Sequence, residues 1–269
     1  SQEPRLFASI SSYTFDDWAG PPIGVFTSIP TGAAQDWPIL IVIPGARRNA
    51  EEYRDQWHHL ATANQFLVLV LQGPRDSFPS EWEYNAGGVV NESGASQPEE
   101  RWLFSVIEPM FDDFTRRFSS TRTRYALYGH AAGGGFVHRF LLFKPGARVD
   151  RAVAANPACW TMPDSSDNYP FGVRNTKFDD QDIATWFSKP LTILLGEKDL
   201  GPRTKPLSNG PRARVQGPNV LTRGVGFYKR AAEVATDRQL PLRWQLDVVP
   251  NVGHSNAHLA SHAVRHLFP

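Results

Sequence analysis

The sequence predicts an α/β fold: a mostly parallel, doubly wound sheet with helices on both faces and an antiparallel hairpin at its N-terminal edge. Three observations carry that expectation. Short apolar runs at 38–43, 66–71, 125–128, 152–155, 191–195 and 242–249 alternate with segments whose apolar residues recur at helical spacing. A Gly-rich strand-turn-helix passage occupies the middle of the chain, at 125–142. The length of 269 residues, with 41% hydrophobic and 20% charged residues, suffices to bury one large core, and residues 1–269 read as a single domain.

Taken in order, residues 6–10 and 23–29 form the edge hairpin, the second stretch following Asp-Asp-Trp-Ala-Gly-Pro-Pro. Residues 38–43, Pro-Ile-Leu-Ile-Val-Ile, are apolar without alternation, as in a strand covered on both faces. They end in Pro44-Gly45-Ala46-Arg47-Arg48-Asn49, before a helix marked by Tyr53, Trp57 and Leu60. A second buried strand spans 66–71, and a long loop runs to about Pro98. The spacing of Trp102, Phe104, Ile107, Phe111, Phe114 and Phe118 predicts a helix over 99–118, kinked or split at Pro109. Beyond the central passage come a strand at 152–155, an irregular insertion at 156–182, a strand at 191–195, and a basic loop at 201–224. A helix near 225–236, a last strand at 242–249 and a C-terminal helix opened by His254 complete the chain.

Bulk properties remove several function classes. A net charge of +1 gives no global attraction to nucleic acid or a membrane surface, and no apolar run reaches the roughly 20 residues of a membrane span. The one cysteine, Cys159, leaves no internal disulfide and no metal-type Cys spacing. The chain begins Ser-Gln-Glu-Pro-Arg with no basic-then-apolar leader, so a removed signal peptide stays open and a secreted or periplasmic location fits. Nothing in the sequence sets an oligomeric state.

The chemistry centres on Gly129-His130-Ala131-Ala132-Gly133, where an apolar run stops and a helix pattern (Phe136, Val137, Phe140, Leu141, Leu142) begins. This passage resembles the nucleophile elbow of α/β-hydrolases, G-x-S-x-G, with glycines where close backbone approach excludes a Cβ and with Ala131 at the nucleophile position. An alanine has no oxygen to attack a carbonyl, so the chain as it stands does not run acyl-enzyme chemistry. Two readings of Ala131 stand: a serine replaced to leave an intact but dead site, or a natural relative that has given up catalysis and serves as a binding protein.

The resemblance implies an order of nucleophile, acid and histidine along the chain. The base is then His254, in Val-Pro-Asn-Val-Gly-His-Ser after the last strand. The plain alternative is a surface histidine at a helix start. The acid is Asp199, after the strand at 191–195, with Glu197, Asp164 and Asp167 as rivals; an Asp closing a strand is also an ordinary turn former. The oxyanion donors are the N–H of Ala132 and of Ala46, with Arg47 behind it. Many relatives carry His-Gly at that turn, where this chain has Pro44-Gly45.

Two further signals carry weight. His254, His258, His262 and His266 fall on one helix face, and i, i+4 histidines can share zinc. No H-E-x-x-H motif accompanies them, and His58-His59 point to different sides of their helix, so no metal site and no cofactor is assigned. The loop 201–224 contains Arg203, Lys205, Arg212, Arg214 and Arg223 and no acid, with Arg47, Arg48, Arg174 and Lys177 able to border it. Surface arginines are usually solvated, but a cationic rim would draw an anionic substrate toward the cleft. Arg47, Trp160, Arg212 and Arg214 are the candidate substrate contacts. Trp82, Tyr84, Tyr169 and Phe171 could add an apolar wall or belong to the core.

Over about residues 38–269, these motifs resemble bacterial esterases of the polyhydroxybutyrate depolymerase and feruloyl esterase group, and poly(aspartic acid) hydrolases. The resemblance implies a serine hydrolase acting on an ester or amide bond of a small-molecule or polymeric substrate, an anionic one if the basic loop borders the cleft; the net charge of +1 points to no nucleic-acid partner. A non-catalytic binding protein and a metal-dependent hydrolase using the histidine face are the alternatives.

Overall fold

In the computed structural model, which describes residues 5–269, the chain runs β1 (Ser9–Phe15), β2 (Ile23–Ile29), β3 (Ile39–Ile43), α1 (Ala50–Asn64) and β4 (Leu67–Gln72). Two 3-10 turns (Glu99–Arg101 and Leu103–Val106) precede α2 (Ile107–Arg117), β5 (Tyr125–His130), α3 (Ala132–Phe143) and β6 (Val149–Ala155). Then follow α4 (Asp180–Phe187), β7 (Leu191–Gly196), the single-turn α5 (Pro206–Asn209) and α6 (Pro211–Arg214), α7 (Val220–Asp237), β8 (Gln245–Val249) and α8 (Asn256–Leu267). The leader reading at residues 1–4 lies outside the described residues.

Why the sheet is covered twice can be read from β3. Ile39, Ile41 and Ile43 join one core, with Phe111, Phe114, Phe136 and Phe140 of α2 and α3. Leu40 and Val42 join another, with Tyr53, Trp57 and Leu60 of α1 and Leu259 and Ala263 of α8. Successive strand residues point to opposite faces, so a strand buried on both must be apolar throughout. The 8-stranded sheet has the order β1-β2-β4-β3-β5-β6-β7-β8. β4 through β8 pair in parallel through β3, while β2 runs antiparallel to both β1 and β4. Strand order reverses at β3, flanked by β4 and β5, and a crevice opens where chains leave such neighbours in opposite directions.

Several boundaries differ from expectation, each for a local reason. β1 begins at Ser9 and is half exposed, because an edge strand needs apolar residues on one side alone. Pro109 neither kinks nor splits a helix: it sits in the first turn of α2, where its missing N–H has no intrahelical partner to lose. The break falls earlier, at Trp102, whose backbone is extended (φ −60°, ψ 142°). α4 emerges at the end of the insertion, where Asp179 and Asp182 form a reciprocal capping box ahead of buried Ile183, Trp186 and Phe187. His254 precedes α8 rather than opening it, since Ser255 is the N-cap and accepts from the His258 N–H. Among the described residues, no helix is long and apolar enough to cross a membrane.

Candidate active site

The turn between β5 and α3 is held from outside. A Cβ on Gly129 would overlap the Gly133 carbonyl, and one on Gly133 would overlap the Ile43 carbonyl. Strand, helix and the end of β3 therefore touch backbone to backbone, and only glycine permits it. Between them Ala131 adopts φ 56°, ψ −119°, a conformation costly to a residue with a side chain. Its N–H donates to Ala155 O at 2.8 Å, and its carbonyl accepts from the N–H groups of Gly134 and Gly135 at 2.9 and 3.1 Å. The methyl of Ala131 is thus presented on the cleft, while Ala132, the first residue of α3, has an N–H with no intrahelical acceptor.

The turn after β3 closes over this point. A Cβ built on Gly45 would stand 3.5 Å from the Ala131 methyl and 3.0 Å from the Tyr53 hydroxyl oxygen. Ala46 follows on the same wall. Its carbonyl accepts from Arg75, and among the described residues its N–H has no protein acceptor. Pro44 and Arg48 brace the turn from behind: the Pro44 carbonyl accepts from the Tyr84 hydroxyl at 2.7 Å, and the buried Arg48 guanidinium lies 3.8 Å over the Tyr84 ring.

Asp199 and His254 meet because two loops are tied together. Lys198 N–H donates to Val252 O at 2.7 Å, and Asn251 N–H donates to the Glu197 carboxylate at 3.1 Å. A Cβ on Gly196 would press on the carbonyls of Val252 and Gly253, so these backbones pack with no room between them. In that frame His254 Nδ1 lies 2.6 Å from Asp199 Oδ2, with the carboxylate side chain 1% exposed and the imidazole 28% exposed. A carboxylate accepts only, so Nδ1 carries the hydrogen and Nε2 is left toward the cleft. The ring stands 5.0 Å from that of His130, the residue before Ala131. Arg203 approaches the other Asp199 oxygen at 3.9 Å.

Ala131, Ala132, Ala46, Arg47 and His254 all line one cleft of about 610 Å³, with Tyr53, His130, Glu81, Arg203 and Lys205. Other expected contacts lie elsewhere. Trp160 is fully buried, stacked on Phe227 at 4.2 Å, and so belongs to the core rather than the cleft. Arg212 and Arg214 do not line the cleft either: Arg212 pairs with Asp167, and Arg214 donates to Asn209 O. Trp82, Tyr84, Tyr169 and Phe171 are absent from its lining, and Arg174 pairs with Asp167. Asp164 is bound to Arg230, which leaves neither Asp164 nor Asp167 beside His254. Glu197 serves the Asn251 backbone. The histidine face divides, with His254 on Asp199 and His266 on Asp247, so its members do not converge.

Three cleft residues, Tyr53, His130 and Glu81, and the buried Asn156 behind them carry no functional signal in the sequence. The spacing of Tyr53 with Trp57 and Leu60 fits the core face of an amphipathic helix, a role it also fills. His130 is 4% exposed, and burial, with the charges of His254 and Arg203, pushes it well below the ordinary histidine range. Asn156, at the end of β6, bridges His130 and the Gly253 carbonyl. Glu81 accepts from the Leu207 N–H, and burial raises its pKa. An Asn-Pro after a strand and a Glu in a long loop carry no distinguishing local signal.

No protein-family model matches the sequence, and no curated protein does. Solved structures do. Poly(aspartic acid) hydrolase-1 from Sphingomonas sp. KT-1 is 39% identical over 100% of both chains, with a TM-score of 0.91. A poly(3-hydroxybutyrate) depolymerase from Bordetella parapertussis is 28% identical over 96% of this chain and 90% of that one, with a TM-score of 0.89. An S-formylglutathione hydrolase from Agrobacterium tumefaciens shares the fold at 14% identity, covering 98% and 99% of the two chains with a TM-score of 0.62.

Proposed function

The chain belongs to the α/β-hydrolase family that includes poly(aspartic acid) hydrolase-1, and from that premise we propose a serine hydrolase of an acidic polymer whose nucleophile position is occupied here by alanine. With a serine at 131, the hydroxyl on the strained turn attacks the ester or amide carbonyl while His254 Nε2 takes its proton. Asp199, bonded to Nδ1, fixes the tautomer and stabilises the imidazolium. The N–H groups of Ala46 and Ala132 receive the negative charge that develops on the carbonyl oxygen. His254 then protonates the leaving group, and water, activated by the same imidazole, releases the acyl group.

The observation that carries the proposal is the 2.6 Å bond between Asp199 and His254 on a cleft that also presents the left-handed Ala131. A tightly oriented imidazole on the same cleft as a strained methyl has no evident use in binding alone. Arg47, Arg203 and Lys205 on the cleft wall favour an anionic chain over a neutral one. The 39% identity to poly(aspartic acid) hydrolase-1 points the same way.

As it stands the chain binds such a substrate and leaves it uncut. Ala131→Ser is expected to label with a fluorophosphonate probe, hydrolyse short p-nitrophenyl esters, and cleave polyaspartate faster than a neutral polyester. The second reading, a natural non-catalytic binding protein, is favoured by Ala131 itself. A folded Ala131→Ser protein that fails to label would establish that reading over the enzymatic one.

A further inference from the structure

We propose that the Tyr53 hydroxyl is a third donor to the carbonyl oxygen of the substrate, aimed by a relay of buried polar groups that starts on β7. The inference rests on the hydrolase reading above. The relay can be followed donor by donor. Gly196 N–H donates to Asn156 Oδ1 at 2.9 Å, which fixes the orientation of that amide. Its nitrogen then donates to Gly253 O at 3.2 Å and faces His130 Nε2 at 3.5 Å. A ring nitrogen that faces an amide donor must offer a lone pair, so the hydrogen of a neutral His130 sits on Nδ1. Burial keeps the ring neutral. Nδ1–H therefore donates to Tyr53 Oη, 2.9 Å away.

A phenol oxygen that accepts from Nδ1–H cannot send its own hydrogen to that nitrogen, and among the described residues no other protein group accepts it. The neighbouring tyrosines differ. Tyr84 commits its hydrogen to Pro44 O at 2.7 Å, and Tyr128 to Asn256 Oδ1 at 2.6 Å.

What remains on the open side of Tyr53 is the cleft that it lines. A Cβ at Gly45 would stand 3.0 Å from the phenol oxygen and 3.5 Å from the Ala131 methyl, so the phenol and residue 131 flank the same turn on the cleft that Ala46 also lines. Negative charge would develop there on the substrate oxygen. Burial pushes the Tyr53 pKa up to about 12, so the group stays a donor through the neutral range. A donor held by α1 needs no reorganisation when the charge appears.

The test uses two measurements. In the Ala131→Ser enzyme, Tyr53→Phe is expected to lower kcat about 10²-fold while KM changes less than about two-fold, the signature of a contact made in the transition state. Circular dichroism and a thermal melt confirm that the variant is folded. A Tyr53→Phe enzyme with full kcat would overturn the inference alone; an Ala131→Ser protein that never labels would overturn the hydrolase reading and take this inference with it. Nitrogen-15 NMR of the chain as it stands reads the His130 tautomer independently of turnover. The Nδ1–H form is expected. The Nε2–H form would claim the phenol's hydrogen for Nδ1 and overturn the proposal.

Discussion

The basic segment 201–224 consists of two regions with opposite destinations. In the first, Arg203, Lys205 and Ser208 line the cleft, and Arg203 stands 3.9 Å from Asp199. In the second, the cations bind the protein itself. Arg212 donates to both Asp167 oxygens at 2.9 and 3.0 Å and covers the Phe171 ring at 4.5 Å. Arg223 is 3% exposed and donates to the carbonyls of Gly217, Ala158 and Ser208. What separates them is local. Pro206 and Pro211 each start a single helical turn, and Leu207 and Ala213 are buried with Cys159 and Phe171. Charge thus says how many cations a loop brings, while the apolar residues between them decide which reach substrate.

This contrast can be broken by mutation. The largest effect is expected from Arg223→Ala, which orphans three carbonyls in the interior and should lower unfolding stability by about 3 kcal/mol, read from the urea midpoint. A neutral result would mean that the second region is not structural. Next, in the Ala131→Ser enzyme, Arg203→Ala with Lys205→Ala should raise KM for acidic oligomers about tenfold, roughly 1.4 kcal/mol, with little change for neutral esters. That difference should shrink at high salt, because charges on an open cleft are screened. Equal effects on both substrates would remove the electrostatic role. The smallest effect is expected from Arg212→Ala, an exposed ion pair: less than about 1 kcal/mol of stability and an unmoved KM. A KM shift as large as that of the cleft pair would erase the distinction.

Legibility in the sequence followed the range of the interactions involved. Buried strands were readable because a segment covered on both faces has to be apolar at every position, and the elbow because its two glycines answer contacts four residues apart. Asp199 and His254 could be picked out as candidates from chain order, but their meeting depends on Gly196 packing against the 252–253 backbone, which no local pattern announces. α4 carries a readable signal, Asp179 and Asp182 ahead of Ile183, at the end of a stretch whose composition otherwise predicts irregular chain. Trp160 and Arg212 could not be placed. An aromatic or cationic residue near a strand end looks the same in sequence whether it turns toward solvent or toward Phe227 or Asp167.

The backbone angle at residue 131 is imposed by its neighbours: the Gly129–Gly133 contact and the carbonyl of Ile43 owe nothing to the side chain carried there. The position therefore behaves as a socket, wired before any plug is inserted. A hydroxyl or a thiol installed by a single substitution would arrive already aimed, so the identity of the reactive atom can be exchanged on this scaffold without rebuilding the machinery around it.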